Sequence, residues 1–172
     1  VTASKAAIRL GFTKMSANRC FDEIEYLNVD ILGMKGKSRV ITVPADIQKL
    51  WNDVRVILRN PVIARYELKE DIQFGQKAGI TALCEYSLLS DNEYPTYAIT
   101  KKEITESGIR KMKQVHSGEE IGCVVLELGY FIDFKNKKLE DPLSVTLSLT
   151  ESEKQDERIG ISIKRMLEEY VW

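Results

Sequence analysis

The sequence predicts a mixed α/β or α+β fold in two parts, and three observations lead there. Residues 1–28 carry apolar positions at helical spacing twice, interrupted by Gly11. Residues 31–43 place short apolar runs on either side of a turn rich in Gly and Lys. From Val62 onward, helix-like and strand-like segments interleave with no repeat or low-complexity linker. With 172 residues, 44% of them hydrophobic, the chain can bury one ordinary core or two small ones. The pair Asn60-Pro61 marks the boundary, giving parts 1–60 and 61–172.

Each N-terminal element follows from its own signals. Thr2 can cap a helix carrying Ala6, Ala7 and Leu10, which Gly11 ends. Thr13 is the next natural cap, and Ala17, Cys20, Phe21, Ile24, Leu27 and Asn28 then fall on one side of a helical wheel. The opposite side holds Met15, Asn18, Arg19, Asp22 and Tyr26, with Lys14 and Ser16 near the first turn. Two short helices joined by a glycine turn make a helix-turn-helix, whose second helix can enter the major groove of DNA. Ile31 and Val40 to Val43 flank Gly33, Lys35, Gly36, Lys37 and Arg39, a hairpin whose tip carries three cations and no acid. A stabilising hairpin would mix its charges, whereas a cationic tip suits the phosphate backbone. Ile47, Leu50, Trp51, Val54, Ile57 and Leu58 fit a further helix running to Asn60, which would link the two parts. Its Trp-bearing stripe suits core packing, with a homodimer interface as the alternative.

Taken together, residues 1–43 resemble the winged helix-turn-helix of prokaryotic transcriptional regulators. The resemblance implies double-stranded DNA as partner and Lys14, Ser16, Asn18, Arg19, Lys35, Lys37 and Arg39 as contacts. Arg19 stands where such helices often carry an arginine. The sequence begins at Val1, close to the motif, so the helix that commonly precedes it is expected either upstream or to be replaced.

In the second part, VIARYELK reads as a strand, AGITALCEYSLLS as a helix and YPTYAIT as a short strand opened by Pro95. ITESGIRKMKQV reads as a helix weakened by Gly108, and GCVVLELGYFIDF as the clearest strand. DERIGISIKRMLEEYVW closes the chain as a helix, with Ile159, Ile163, Met166, Leu167 and Tyr170 on one side. The segments AGITALCEYSLL, YPTYAIT, LELGYFIDF, DPLSVTLSL and DERIGISIKRML together resemble the body of AbiEi-type antitoxins. That resemblance implies a repressor of its own operon whose C-terminal part neutralises a toxin encoded alongside.

Charge supports a division of labour. The net charge is −1, but residues 1–60 hold ten Lys/Arg against six Asp/Glu, leaving the rest acidic. Cys20, Cys84 and Cys123 form no C-x-x-C pair and are expected to be buried, reduced thiols. His116 is the only histidine, so a His-based triad or multi-His metal site has little to rest on. No apolar run suits a membrane span and no leader pattern is evident, so a cytoplasmic protein without membrane contact is expected.

Catalysis, cofactors and metals are not expected. Glu127 and Asp133 share a strand face with Asp141 soon after, which allows a carboxylate cluster for Mg²⁺ to be considered. A nuclease core of the Asp…Glu-x-Lys type would want lysine at position 129, where Gly129 stands. No phosphate-binding glycine loop or nucleophile elbow occurs either. Glu127 reads instead as a carboxylate held by hydrogen bonds, and Asp141-Pro142 as a turn. A DNA-binding repressor is thus the leading expectation. A protein-interaction module without DNA binding and a metal-dependent nuclease on Glu127 and Asp133 are the alternatives.

Overall fold

The computed structural model describes residues 1–90, 92–130 and 138–172, and it is a mixed α+β protein. It divides into two compact units, Val1–Leu58 and Arg59–Trp172. No described helix is long and apolar enough to cross a membrane.

The first unit begins with two capped helices. Helix α1 (Ala3–Leu10) starts at Thr2, whose side chain accepts from the Lys5 amide, and stops at Gly11, whose φ of 70° supplies the left-handed residue that ends a helix. Helix α2 (Lys14–Tyr26) starts at Thr13, whose Oγ1 accepts from the Ser16 amide at 3.0 Å. Ala3 and Ala7 of α1 meet Ala17 and Phe21 of α2, with Leu32 and Ile41 closing this small core. Strands β1 (Leu32–Lys35) and β2 (Ser38–Ile41) form an antiparallel hairpin with Lys35 opposite Ser38. Its two-residue loop places Gly36 first with φ 62°, the positive angle that a type II′ turn requires there. On the far side of β2, Val1 accepts from the Ile41 amide and Thr2 bridges to Val40.

Helix α3 (Ile47–Val54) is capped by Asp46 and buries only Trp51. It is shorter than the sequence predicts, ending at Val54 rather than Asn60. Val56, Ile57 and Leu58 continue the apolar period but are exposed, and a short helix needs a packed face more than a periodic one. The predicted inner face of α2 is also narrower than expected. Cys20 is exposed at its rim, and Leu27 and Asn28 fall beyond the helix end, Asn28 with φ 53°.

The second unit is a four-stranded mixed sheet with helices. Its elements run β3 (Val62–Leu68), β4 (Gln76–Lys77), α4 (Gly79–Tyr86), β5 (Thr96–Thr100), α5 (Lys101–Ser107), a 3-10 turn at Ile109–Lys111, and β6 (Cys123–Leu128). Then come α6 (Pro142–Ser148), α7 (Glu151–Lys154) and α8 (Glu157–Tyr170). The strand order is β3-β6-β5-β4, with β6 antiparallel to β3 and parallel to β5. A parallel pair needs a crossover, which α5 and the 3-10 turn provide. Gly108 splits the predicted single helix there, ending α5 with φ 72°.

Every residue of β6 is buried, as expected of the central strand of a covered sheet. Cys123 and Val125 pack with Leu68, Tyr97, Ile99, Ile104 and Ile109 on one face, while Val124, Leu126 and Leu128 join Ala78 and Ala98 on the other. A third cluster lies among helices α4, α6 and α8, around Leu83, Val145 and Met166. The predicted long strand ends at Leu128, and its positions 131–134, including Asp133, lie outside the described residues. Asp141-Pro142 is a helix start and not a turn. Asp141 accepts from the Leu143 and Ser144 amides at 3.1 Å, and Pro142 occupies the first helical position, where its missing N–H costs nothing.

Candidate nucleic-acid interface

The site builds upward from the start of α2. Lys14 is its first residue, and the first turn holds no acid. A cation at the positive end of a helix opposes the macrodipole, so this end is arranged for an incoming anion rather than for the helix alone. Arg19 is exposed one turn further on, its guanidinium beside the Met15 sulfur at 4.0 Å. Asn18 is half-buried next to it. Ser16 is exposed, but its hydroxyl lies 2.9 Å from Thr13 Oγ1 and serves the cap.

The hairpin divides the remaining cations. Lys35 ends β1 and Lys37 lies in the turn, both exposed and without an ion pair among the described residues. Arg39 differs from the expectation that it belongs to the tip. It lies in β2 and points back to α2, where Nη1 meets Asp22 at 2.6 Å and Glu25 at 3.0 Å, with its guanidinium 5.9 Å from the Phe21 ring centre. The Asp22 hydrogen bond is the main cause that holds the Arg39 pKa above its ordinary value. Arg39 therefore fastens the hairpin to the acidic end of α2, and Lys14, Arg19, Lys35 and Lys37 are left as the open cations of the predicted set.

Two carboxylates of the second unit bear on its chemistry. Glu127 is 1% exposed on β6, where Tyr66 donates to Oε2 at 2.8 Å and Arg110 to Oε1 at 2.8 Å and Oε2 at 3.1 Å. Burial alone would push this carboxyl up, but the Tyr66 and Arg110 hydrogen bonds, with the charges of Arg110 and Lys101, hold it below its ordinary value. Its oxygens are occupied, as the sequence reading of a held strand carboxylate expects. Glu140, which sequence reasoning missed, is 2% exposed and accepts from the Gly79 amide at 3.1 Å and the Ser148 hydroxyl at 3.3 Å through Oε2. Burial raises its pKa to about 7, and neighbouring Asp141 adds to the rise. Nothing local in the sequence announces this, because Gly79 is 61 residues away. Among the described residues, no group of three or more His, Cys, Asp or Glu is placed to hold a metal ion.

Compared with known protein families, curated proteins and solved structures, the chain matches none.

Proposed function

We propose that the first unit binds double-stranded DNA as a winged helix-turn-helix and that the protein acts as a transcriptional repressor. The observation that carries this reading is the pairing of an acid-free, Lys14-bearing start of α2 with a hairpin whose tip cations are unpaired. The short β2 contact to Val1 and Thr2 supports it, giving the hairpin a third edge beside the helices. In this reading Arg19 reads bases, Lys14, Lys35 and Lys37 hold phosphates, and Arg39 positions the hairpin.

For the second unit we propose partner binding rather than chemistry, with toxin neutralisation as the role implied by the resemblance to AbiEi-type antitoxins. The observation favouring binding is Glu127, whose oxygens are filled by Tyr66 and Arg110 instead of facing a substrate.

A gel shift against duplex DNA spanning the region upstream of the gene tests the first proposal. Wild-type protein should retard DNA at about 50 mM salt and lose affinity linearly on a log–log salt plot. Replacing Lys35 and Lys37 together by Ala should reduce the slope by about two units. Absence of any shift at low salt would overturn DNA binding in favour of a protein-interaction module. Mg²⁺-dependent cleavage in the same gel would instead favour the nuclease.

A further inference from the structure

Met15 is not where a residue that only packs a helix would stand. It lies in the first turn of α2 and is 65% exposed, while Ala17 and Phe21 supply that helix's share of the core. Its Sδ lies 4.0 Å from Nη2 of Arg19, one turn further along. Residues four apart share a helix face, and a long helical side chain leans back over the preceding turn, so the two side chains form one outward pair. Thioether sulfur is a weak acceptor, and Arg19 has no ion pair among the described residues, so its guanidinium keeps its donors. Asp22, the next acid along α2, is held by Arg39 at 2.6 Å and does not take up the Arg19 guanidinium. A fork of N–H donors and an apolar tip are thus presented side by side.

The major groove of DNA offers the counterpart of such a pair. Guanine shows two acceptors there, N7 and O6, and the C5-methyl of thymine is the apolar group among the base edges. Successive bases along a strand rise by about 3.4 Å, close to the separation of the two side-chain tips. Phosphate contacts by Lys14, Lys35 and Lys37 carry no sequence information, so a choice of bases has to come from groups like these.

We propose that Met15 is a specificity-determining residue whose thioether packs on the C5-methyl of a thymine in the base pair next to the guanine that Arg19 reads. Helix α2 then selects a two-pair step that holds one guanine and one thymine. The inference rests on the DNA-binding reading above and names what that site selects.

Duplexes enriched from a random-sequence library by the full wild-type chain at low salt provide the test. In the enriched duplex each thymine is replaced in turn by deoxyuridine, which lacks only the methyl group, and each guanine by its deaza analogue, which lacks the N7 acceptor. The wild type should lose affinity about fourfold at one thymine, the worth of one buried carbon. The neighbouring pair should hold the guanine whose N7 matters to the wild type but not to Arg19→Ala. Met15→Ala and Met15→Gln should still bind the duplex, yet no longer distinguish deoxyuridine from thymine at that position. Met15 is at the surface, and an unchanged circular dichroism spectrum checks the fold of both variants. If no duplex is enriched, the DNA-binding reading falls and this inference with it. If one is enriched but tolerates deoxyuridine at every thymine, or loses as much with both Met15 variants as with the wild type, the thymine contact alone is overturned. A sensitive thymine that is not next to the Arg19 guanine overturns it too, as does loss of all binding by folded Met15 variants.

Discussion

Glu140 shows how one residue can set the pH response of a fold. Its Oε1 has no hydrogen-bond partner among the described residues, while Asp141, Tyr86 and Tyr130 are the titratable groups coupled to it. In the unfolded chain the carboxyl titrates near its ordinary value, and in the folded protein near 7, so the folded state holds the proton more tightly. The stability this contributes is fully present below the unfolded value and is lost as pH rises through about 7. Its size is on the order of 3 kcal/mol. Urea unfolding should therefore show a stability that declines between pH 5 and pH 7.5, and Glu140→Gln should flatten that decline. A Gln variant with the wild-type slope would assign the titration to another group. Arg39 and Lys37 form a second contrast, since they stand two positions apart on one hairpin yet have different surroundings. Arg39→Ala should speed amide exchange at Leu32–Lys35 and Ser38–Ile41 by releasing the strands from Asp22 and Glu25. Lys37→Ala should leave exchange unchanged and lower the salt slope of DNA binding by about one unit. The cationic composition of this turn is readable from the sequence, but which cation turns inward depends on acids fourteen and seventeen positions earlier.

At the scale of elements, legibility followed local chemistry. The caps Thr2 and Thr13 and the stop at Gly11 are set by residues within a few positions of one another, and each stands where the sequence places it, whereas the hairpin turn is tighter than the sequence suggests, with Gly33, Lys35 and Arg39 drawn into the strands. Thr13→Ala should accordingly cost the first unit about 1 kcal/mol, measured by thermal unfolding. Helix α3 was over-read because an apolar period says nothing about whether a core lies opposite it. Helix α6 was missed for a different reason: Asp-Pro opens turns and helices alike, and Ser144, Val145, Thr146 and Ser148 are weak helix formers. The partners of Glu127 and Glu140 come from other strands and helices, so their environments could not be read along the chain. Gly122 is an element-scale constraint of the same kind. A Cβ there would stand 2.3 Å from the Lys69 carbonyl oxygen and 2.9 Å from the Glu70 nitrogen, backbone atoms that cannot swing aside. Gly122→Ala should destabilise the second unit by about 1–3 kcal/mol or more, readable as a lower urea midpoint with an unchanged slope.

At the scale of the molecule, the two units have separate cores, one around Phe21 and the others around the sheet and helices of residues 59–172. Residues 59–172 alone should therefore fold, giving one cooperative transition and a native-like circular dichroism spectrum. If that fragment stays unfolded, the second unit depends on the first. The position of β6 in the sheet also fixes a timetable for biosynthesis. Among the described strands β3 pairs with β6 alone, apart from an isolated bridge of Leu68 to Gln114, and β5 pairs with β6 along its whole length, yet β6 is the last of the four to leave the ribosome. Before Leu128 emerges, β3 has no more than the Leu68 to Gln114 bridge, and among the described strands of this sheet the one native ladder available is the two-residue match of β4 with β5. A nascent chain stalled short of Cys123 should thus carry an open, apolar strand edge of the kind chaperones bind. Lengthening the stalled chain until Leu128 has cleared the ribosome should release it in a single step.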